Sequence, residues 1–518
     1  MRIAALFFSV LIAVPAYGEA AAHIALVPLD DRPVTLQLPQ MLGRIAGVEV
    51  KIPPRKLLGN YLMPGMPDAL IAWLNASENR NASDFIISAD MLAYGGLVAS
   101  RIPGASYQDA AMRLSEIKHL HATRRARVYA FGTIMRLAPT GVPPLGPAAR
   151  FFAAYPAWKY LQQFANLHDP PLPSETKTLA DLQSKIDPAT LDAYLATRLR
   201  NYQADQFLLR LAAGDAIDRL VLGQDDAGPV GLHVREVRAL QETAGQLELG
   251  GRVSIEPGAD ELAMALVARA LAARVRWTPK ISVRYSEPDG ASTNDPLEFA
   301  PVSVAISSLI DLCGAVTNDV NPDIILYVRV PKSSRQGDAE LLQAVQTDTA
   351  AGHSVALADL SFLSGSFASQ AIFAKQLLQN GAGAMLDAYA SWNTNANTIG
   401  TALAESIAAG AGRRSHRYDA LAHAEFTFNR FLDDYAYHDY VRPDLNRWLD
   451  QQGVTDHTYL LPGVALNASQ RDSALLWNDA VGLLQQLYPH YHIAAIRITL
   501  PWNRTFETEI EAAIAPNL

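Results

Sequence analysis

Along this chain, short apolar runs rich in β-branched residues break off in polar residues and give way to stretches with helical spacing. The runs occupy residues 23–29, 48–52, 84–88, 127–131, 219–222, 252–255, 280–284, 323–330, 354–358 and 384–388. They are almost continuously apolar instead of alternating, which predicts strands covered on both faces, as in the parallel sheet of an α/β fold. Helical stretches such as 107–121, 259–275 and 367–379 supply the crossovers. The expected architecture is a parallel-stranded (β/α) barrel-like core; a doubly wound open sheet accounts for the same pattern.

Two segments depart from that rhythm. Residues 144–216 are rich in aromatics and helix formers and contain Asp169-Pro170-Pro171-Leu172-Pro173, which predicts a helical insertion lying over the mouth of the sheet. From 412 onward the chain reads as a mostly helical C-terminal cap: 423–441 is strongly amphipathic, and a last strand-like run, 493–500, ends at Pro501-Trp502-Asn503-Arg504. The Asp433-Asp434 pair is read as a solvated or cap-contacting helix face. At the other end, Met1-Arg2, the apolar stretch 3–14, Pro15 and small residues near 16–20 have the order of a secretory signal. The expected organisation is a signal peptide at 1–20, an α/β domain over 21–411 and the cap over 412–518. Export to the periplasm or the exterior follows, with no membrane span once the signal is removed.

Composition narrows the functional classes. The 518 residues carry 43 Lys plus Arg against 52 Asp plus Glu, a formal charge of −9, and only 18% are charged. Together with 49% hydrophobic residues this excludes general disorder, and without a basic tract a nucleic-acid partner is not expected. The single cysteine, Cys313, excludes a disulfide scaffold and reads as a small core residue.

Functional groups in α/β folds gather beyond the carboxyl ends of the strands. The exits here carry Asp30-Asp31-Arg32, Asp90 with Tyr94 and Arg101, Arg136, Gln224-Asp225-Asp226, Asp260-Glu261, Asp359, and Trp392-Asn393 with Asn397. Any one of these also suits an N-cap or a turn. Adjacent carboxylates repel, however, and a cap needs only one. Hydrolysis of a glycosidic bond needs a carboxylic acid plus a second carboxylate, and in the substrate-assisted variant neighbouring carboxylates orient an acetamido group and donate the proton. Asp225 and Asp226 fit that role, and mutual repulsion raises one of two close carboxylates. Asp30, Asp31, Arg32, Asp90, Tyr94, Arg101, Arg136, Asp260, Glu261, Asp359, Trp392, Asn393, Asn397 and Arg504 are expected to bind the substrate. No cofactor is expected, although a divalent cation would use the same oxygens, with Asp30, Asp31, Asp90 and Asp225 as its set in a metal-dependent hydrolase. Walker, H-E-x-x-H and G-x-S-x-G patterns are missing from the sequence.

As an ordered set, Pro28-Leu29-Asp30-Asp31-Arg32-Pro33, the Asp90 to Arg101 segment, Gln224-Asp225-Asp226-Ala227, Pro257-Gly258-Ala259-Asp260-Glu261, Trp392-Asn393-Thr394 with Asn397, and Leu500 to Glu507 resemble the bacterial family catalogued as domain of unknown function 4127. The resemblance implies one long co-linear domain and no established activity. The Asp225-Asp226 pair is also similar to the acidic pair of barrel-type N-acetylhexosaminidases. The functional expectation is an exported hydrolase acting on a glycan, beside two rivals: the metal-dependent hydrolase and a non-catalytic periplasmic saccharide-binding protein.

Overall fold

The computed structural model describes residues 22–139, 158–294, 296–364 and 367–517. The expected signal peptide lies outside these residues, as does the start of the expected insertion.

Six strands, β1 (His23–Val27), β2 (Val50–Lys51), β3 (Ala82–Ser88), β4 (Arg127–Ile134), β5 (Arg219–Gln224) and β6 (Val253–Pro257), form one parallel sheet in the order β2-β1-β3-β4-β5-β6. Five more, β7 (Lys280–Tyr285), β8 (Val316–Thr317), β9 (Ile324–Arg329), β10 (Val355–Asp359) and β11 (Ala388–Ala390), form a second in the order β11-β10-β9-β7-β8. All pairs within both sheets are parallel. The fold is therefore α/β with parallel sheets, and its described strands fall into two open sheets, with no barrel closure among the described residues. Continuous apolar runs mark strands covered on both faces in either arrangement, so the pattern that predicted parallel strands could not choose between closure and opening. The run expected at 384–388 is displaced: Gly383–Met385 forms a short 3₁₀ turn and the strand begins at Ala388.

Both sheets grow the same way. The chain lays its second strand on one side of the first and its third on the other, then continues outward, so chain direction reverses at β1/β3 and again at β7/β9. Such reversals leave a crevice beyond the strand ends.

The sheets share a layer of helices. Ile24, Leu26, Ile86, Phe131 and Val221 of the first sheet and Leu326, Val328, Ala356 and Ala358 of the second belong to one hydrophobic cluster with the helices Gln37–Ile45, Leu262–Arg274, Val302–Leu312 and Asn395–Ser415. The Leu262–Arg274 helix is apolar around most of its circumference, with only Arg269, Ala273 and Arg274 partly exposed, because it has neighbours on nearly every side. Burying one side chain such as Leu266 stabilises by roughly 1.5–3 kcal/mol. The alternate residues Ala25, Val27, Phe85, Ile87 and Leu222 face outward under the helices Pro67–Asn75, Tyr107–Leu114 and Pro188–Ala213. On the far side, Ile325, Tyr327, Leu357 and Tyr389 pack against Phe373, Leu377 and the C-terminal helices. Cys313 is buried in the shared layer, as expected of a core residue.

The β4-to-β5 crossover contains the helices Trp158–Ala165, Thr176–Lys185 and Pro188–Ala213. Leu161 and Leu182 from the first two pack with Tyr61, Leu137 and Trp502 at the rim of the first sheet. After residue 419 come the helices Ala420–Arg430, Arg442–Gln451 and Pro462–Leu487, with an eleven-residue π-helical segment, Phe431–Val441, inside the series. The chain ends in an antiparallel hairpin of β12 (Tyr491–Thr499) and β13 (Glu509–Pro516), whose second strand was not expected. Asp433 and Asp434 contradict the expectation of a solvated face. Asp434 is fully buried, accepting from the Ser391 N–H at 2.8 Å and from Arg430 at 2.9 Å, and Arg430 also holds Asp433 at 3.0 Å. Charge alone reads as surface; these charges are internal because they are paired. No described helix is long and apolar enough to cross a membrane.

Candidate functional site

Beyond the carboxyl ends of the first sheet lies a cavity of about 340 Å³. Loops after β1, β3, β4 and β6 supply Arg32, Arg101, Arg136 and Asp260, and the end of β5 with the loop after it supplies Gln224-Asp225-Asp226. The second sheet contributes Glu298 from the segment after β7 and Asn393 and Asn397 after β11; the C-terminal region adds Trp502, Arg504 and Phe506.

Local geometry holds each wall. Asp30 folds the loop after β1 by accepting from the Arg32 backbone N–H at 3.1 Å and the Thr35 hydroxyl at 2.8 Å. The Arg32 side chain then bridges outward: Nε and Nη2 donate to Asp30, at 3.0 and 2.7 Å, and Nη1 and Nη2 donate to Asp260 at 3.0 and 2.6 Å. Burial disfavours the guanidinium charge, but Asp260 and Asp30 more than offset it and hold Arg32 well above its ordinary value. Its face lies 4.9 Å from the Trp502 ring. Tyr61 stacks on Trp502 at 4.8 Å, and Arg504, held by Glu507 at 2.8 Å, covers Trp502 at 4.6 Å.

The opposite wall carries the acidic pair. Asp225 is buried and paired with Arg101. Burial raises its pKa; Arg101 opposes that shift and Asp226 adds to it. Asp226 has 35% of its side chain exposed, and Arg136 holds one of its oxygens at 3.3 Å. Arg136 falls below its ordinary value through burial and the neighbouring Arg101 charge. The cavity thus joins two adjacent carboxylates in unlike surroundings: one sealed against a guanidinium, the other open. Glu298 is committed to a helix end, accepting the Ala396 N–H at 2.6 Å.

A model of the family described as protein of unknown function (DUF4127) matches residues 24–511. The chain belongs to that family. No curated protein and no solved structure matches it.

In this DUF4127 protein, the structure brings Arg32, Arg101, Arg136, Asp225, Asp226, Asp260, Asn393, Asn397 and Arg504 to one cavity. Other expected substrate contacts do not line it. Asp30 stands behind Arg32. Asp31 turns toward the C-terminal region, accepting from Trp502 Nε1 at 2.8 Å, Asn60 at 2.9 Å and Arg55 at 3.1 Å, and Arg55 continues to Glu509 at 2.7 Å. That network fastens the terminal hairpin to the first sheet. Asp90 and Tyr94 face a separate small cavity. Glu261 is buried between helices, accepting from Asn397 Nδ2, and burial, with Asp260 and Glu298 near, raises it well above the usual carboxylate range. It starts the Leu262–Arg274 helix without a side-chain cap bond, so the capping alternative does not describe it. Asp359 lies at the end of β10 in the second sheet, held by Arg329 at 3.1 Å. Trp392 is buried with its indole on Thr401 at 3.1 Å.

The oxygens proposed as one metal set are dispersed in the same way: Asp30, Asp31 and Asp225 go to Arg32, Arg55 and Arg101, and Asp90 accepts the Thr133 N–H. Sequence reasoning missed Tyr61, Glu298 and Phe506 as cavity walls. Phe506 lies in the Leu500 to Glu507 segment after the last strand-like run and was passed over there, whereas Tyr61 and Glu298 sit in no strand-exit motif and only the three-dimensional approach of distant loops brings them in.

Proposed function

We propose that the cavity is the active site of a hydrolase that cleaves a polar glycan, with the Asp225-Asp226 pair performing the chemistry. The observation that carries this is the unequal burial of the pair at one cavity wall. Two neighbouring carboxylates in unlike surroundings, one of them raised by burial, can divide acid and base roles. Asp226, the reachable member, exchanges the proton with the scissile oxygen or the attacking water. Asp225, fixed by Arg101, sets the geometry of the group beside it. Asn393, half-buried at the wall and positioned by Asn397, offers an amide suited to hydroxyl groups, and the volume accommodates a sugar unit. The order of residues 1–20 supports an exported enzyme meeting such polymers outside the cytoplasm.

The test is a panel of chromogenic glycosides, N-acetylhexosaminides included, with wild type and Asp226→Asn. At least one glycoside is cleaved by wild type, and the variant loses on the order of 10²–10⁴-fold in turnover with an unchanged melting midpoint. Saturable saccharide binding without product would transfer the cavity to the binding-protein reading, and full activity in Asp226→Asn would remove the pair from the chemistry.

A further inference from the structure

A second, much smaller cavity of about 10 Å³ lies where β3 and β4 end beneath the helix Pro188–Ala213, lined among others by Asp90, Tyr94, Thr133, Asn201 and Asp205. It shares no lining residue with the large one. Its volume suits one water-sized sphere.

Two carboxylates face it without a counter-charge. Asp205, 6% exposed, makes no hydrogen bond and no ion pair among the described residues. Asp90, 4% exposed, accepts the Thr133 backbone N–H at 2.9 Å. The charges acting on the two are negative: Asp225 on Asp90, and Asp90 and Glu236 on Asp205. Arg200 does not compensate them. Its guanidinium stacks on the Tyr94 ring at 4.3 Å and donates to Asn201 and to the carbonyls of Ser100, Ile102 and Ala105. The hydroxyl oxygen of Tyr94 also has no partner in hydrogen-bonding geometry, and that of Thr133, equally without a well-aligned partner, lies near enough to Asp90 to favour its charge. A buried carboxylate without a counter-charge is costly; the polar wall of this cavity gathers the oxygens of Asp90, Asp205, Thr133 and Tyr94, the ligand type a hard cation takes, against an apolar wall that includes Ala89, Ala93 and Leu208.

We propose that this cavity is a cation site that takes a single Ca²⁺, held by the carboxylates of Asp90 and Asp205 with the hydroxyls of Thr133 and Tyr94. The two carboxylates balance a divalent charge. A cavity with room for one sphere favours an ion that sheds its water readily, Ca²⁺ over Mg²⁺. The bound ion would fasten the Pro188–Ala213 helix to the strand ends that carry the large cavity, independently of what that cavity does.

The experiment is calorimetry and thermal melting of the full chain stripped with EGTA, then titrated with CaCl₂. Wild type should show saturable heat from a single class of site and a midpoint raised by at least about 2 °C; Asp205→Asn, close in shape to the native side chain, should fold and lose both. Direct titration of wild type stands even if the variant does not fold. Absence of heat and of a shift in wild type would overturn the proposal and leave the carboxylates to be neutralised by protons. A response to NaCl alone would contradict the divalent assignment, and an unaltered Ca²⁺ response in Asp205→Asn would place the ion elsewhere.

Discussion

The two parallel sheets share a strand order but treat their reversal points differently. At β1/β3 the loops part around the 340 Å³ cavity, and Arg32 spans from Asp30 to Asp260 along its wall. At β7/β9 the loops close on themselves. The Ser286 hydroxyl accepts the Val330 N–H at 3.1 Å, Glu287 accepts the Ser334 N–H at 2.6 Å, and Gly337 sits so close to Ser286 that an added Cβ would come within 2.4 Å of its carbonyl oxygen. Arg329 is buried and fully spent, donating to Asp338 at 2.7 and 2.8 Å, to Asp359 at 3.1 and 3.2 Å and to the Ser361 hydroxyl at 2.8 Å. One arrangement thus yields either a site or a structural clasp. What decides is whether a carboxylate at the strand exits keeps a face open: Asp226 does, whereas Asp359 is fully buried.

Breaking the clasp should therefore cost stability, whereas opening the site should not. Arg329→Ala leaves Asp338 and Asp359 without their cation and is expected to destabilise by about 3–5 kcal/mol, read as a lowered denaturation midpoint in urea. The same half of the molecule should carry a pH liability. Burial raises Asp434 and Asp472 to about 7 and Asp439 to about 8. At pH 6 the folded chain keeps protons on these groups that the unfolded chain has released. Their contribution to stability is present at low pH and lost as pH climbs through 7 to 8. Melts in EDTA from pH 6 to pH 8 should show a decline on the order of 1–3 kcal/mol, with amide exchange rising first around Phe431–Val441. A smaller effect belongs to the seam between the first sheet and the terminal hairpin. Trp502→Phe keeps the ring but removes the indole N–H from Asp31, and should cost about 1–2 kcal/mol by chemical denaturation.

The strands were legible from the sequence because a buried parallel strand must be apolar on both faces. Their grouping was not: the apolar helix Leu262–Arg274 that separates β6 from β7 reads like any crossover, yet after it the chain starts a new sheet. Among the strand-exit residues, those that reach the cavity and those that do not are the same residue types. Asp31 and Asp226 each follow another Asp, but one is turned to Trp502 from 471 positions away and the other to open space. Long-range partners set those directions, and Tyr61 and Glu298, which have no local signature, enter the cavity by the same route. The π-helical segment hid its acids for a related reason: Arg430 stands three and four residues away in the same run, but the Ser391 N–H that Asp434 accepts comes from a distant strand end.

The most direct measurement compares two strand-exit aspartates, Asp226→Asn and Asp359→Asn, for glycoside turnover and melting midpoint in the same preparation. An open catalytic carboxylate and a closed clasp predict that Asp226→Asn loses turnover at an unchanged midpoint, while Asp359→Asn melts several degrees lower and keeps its turnover per folded molecule. If Asp226→Asn instead unfolds with its turnover per folded molecule intact, the acidic pair is scaffolding and the first sheet's cavity is not a catalytic site.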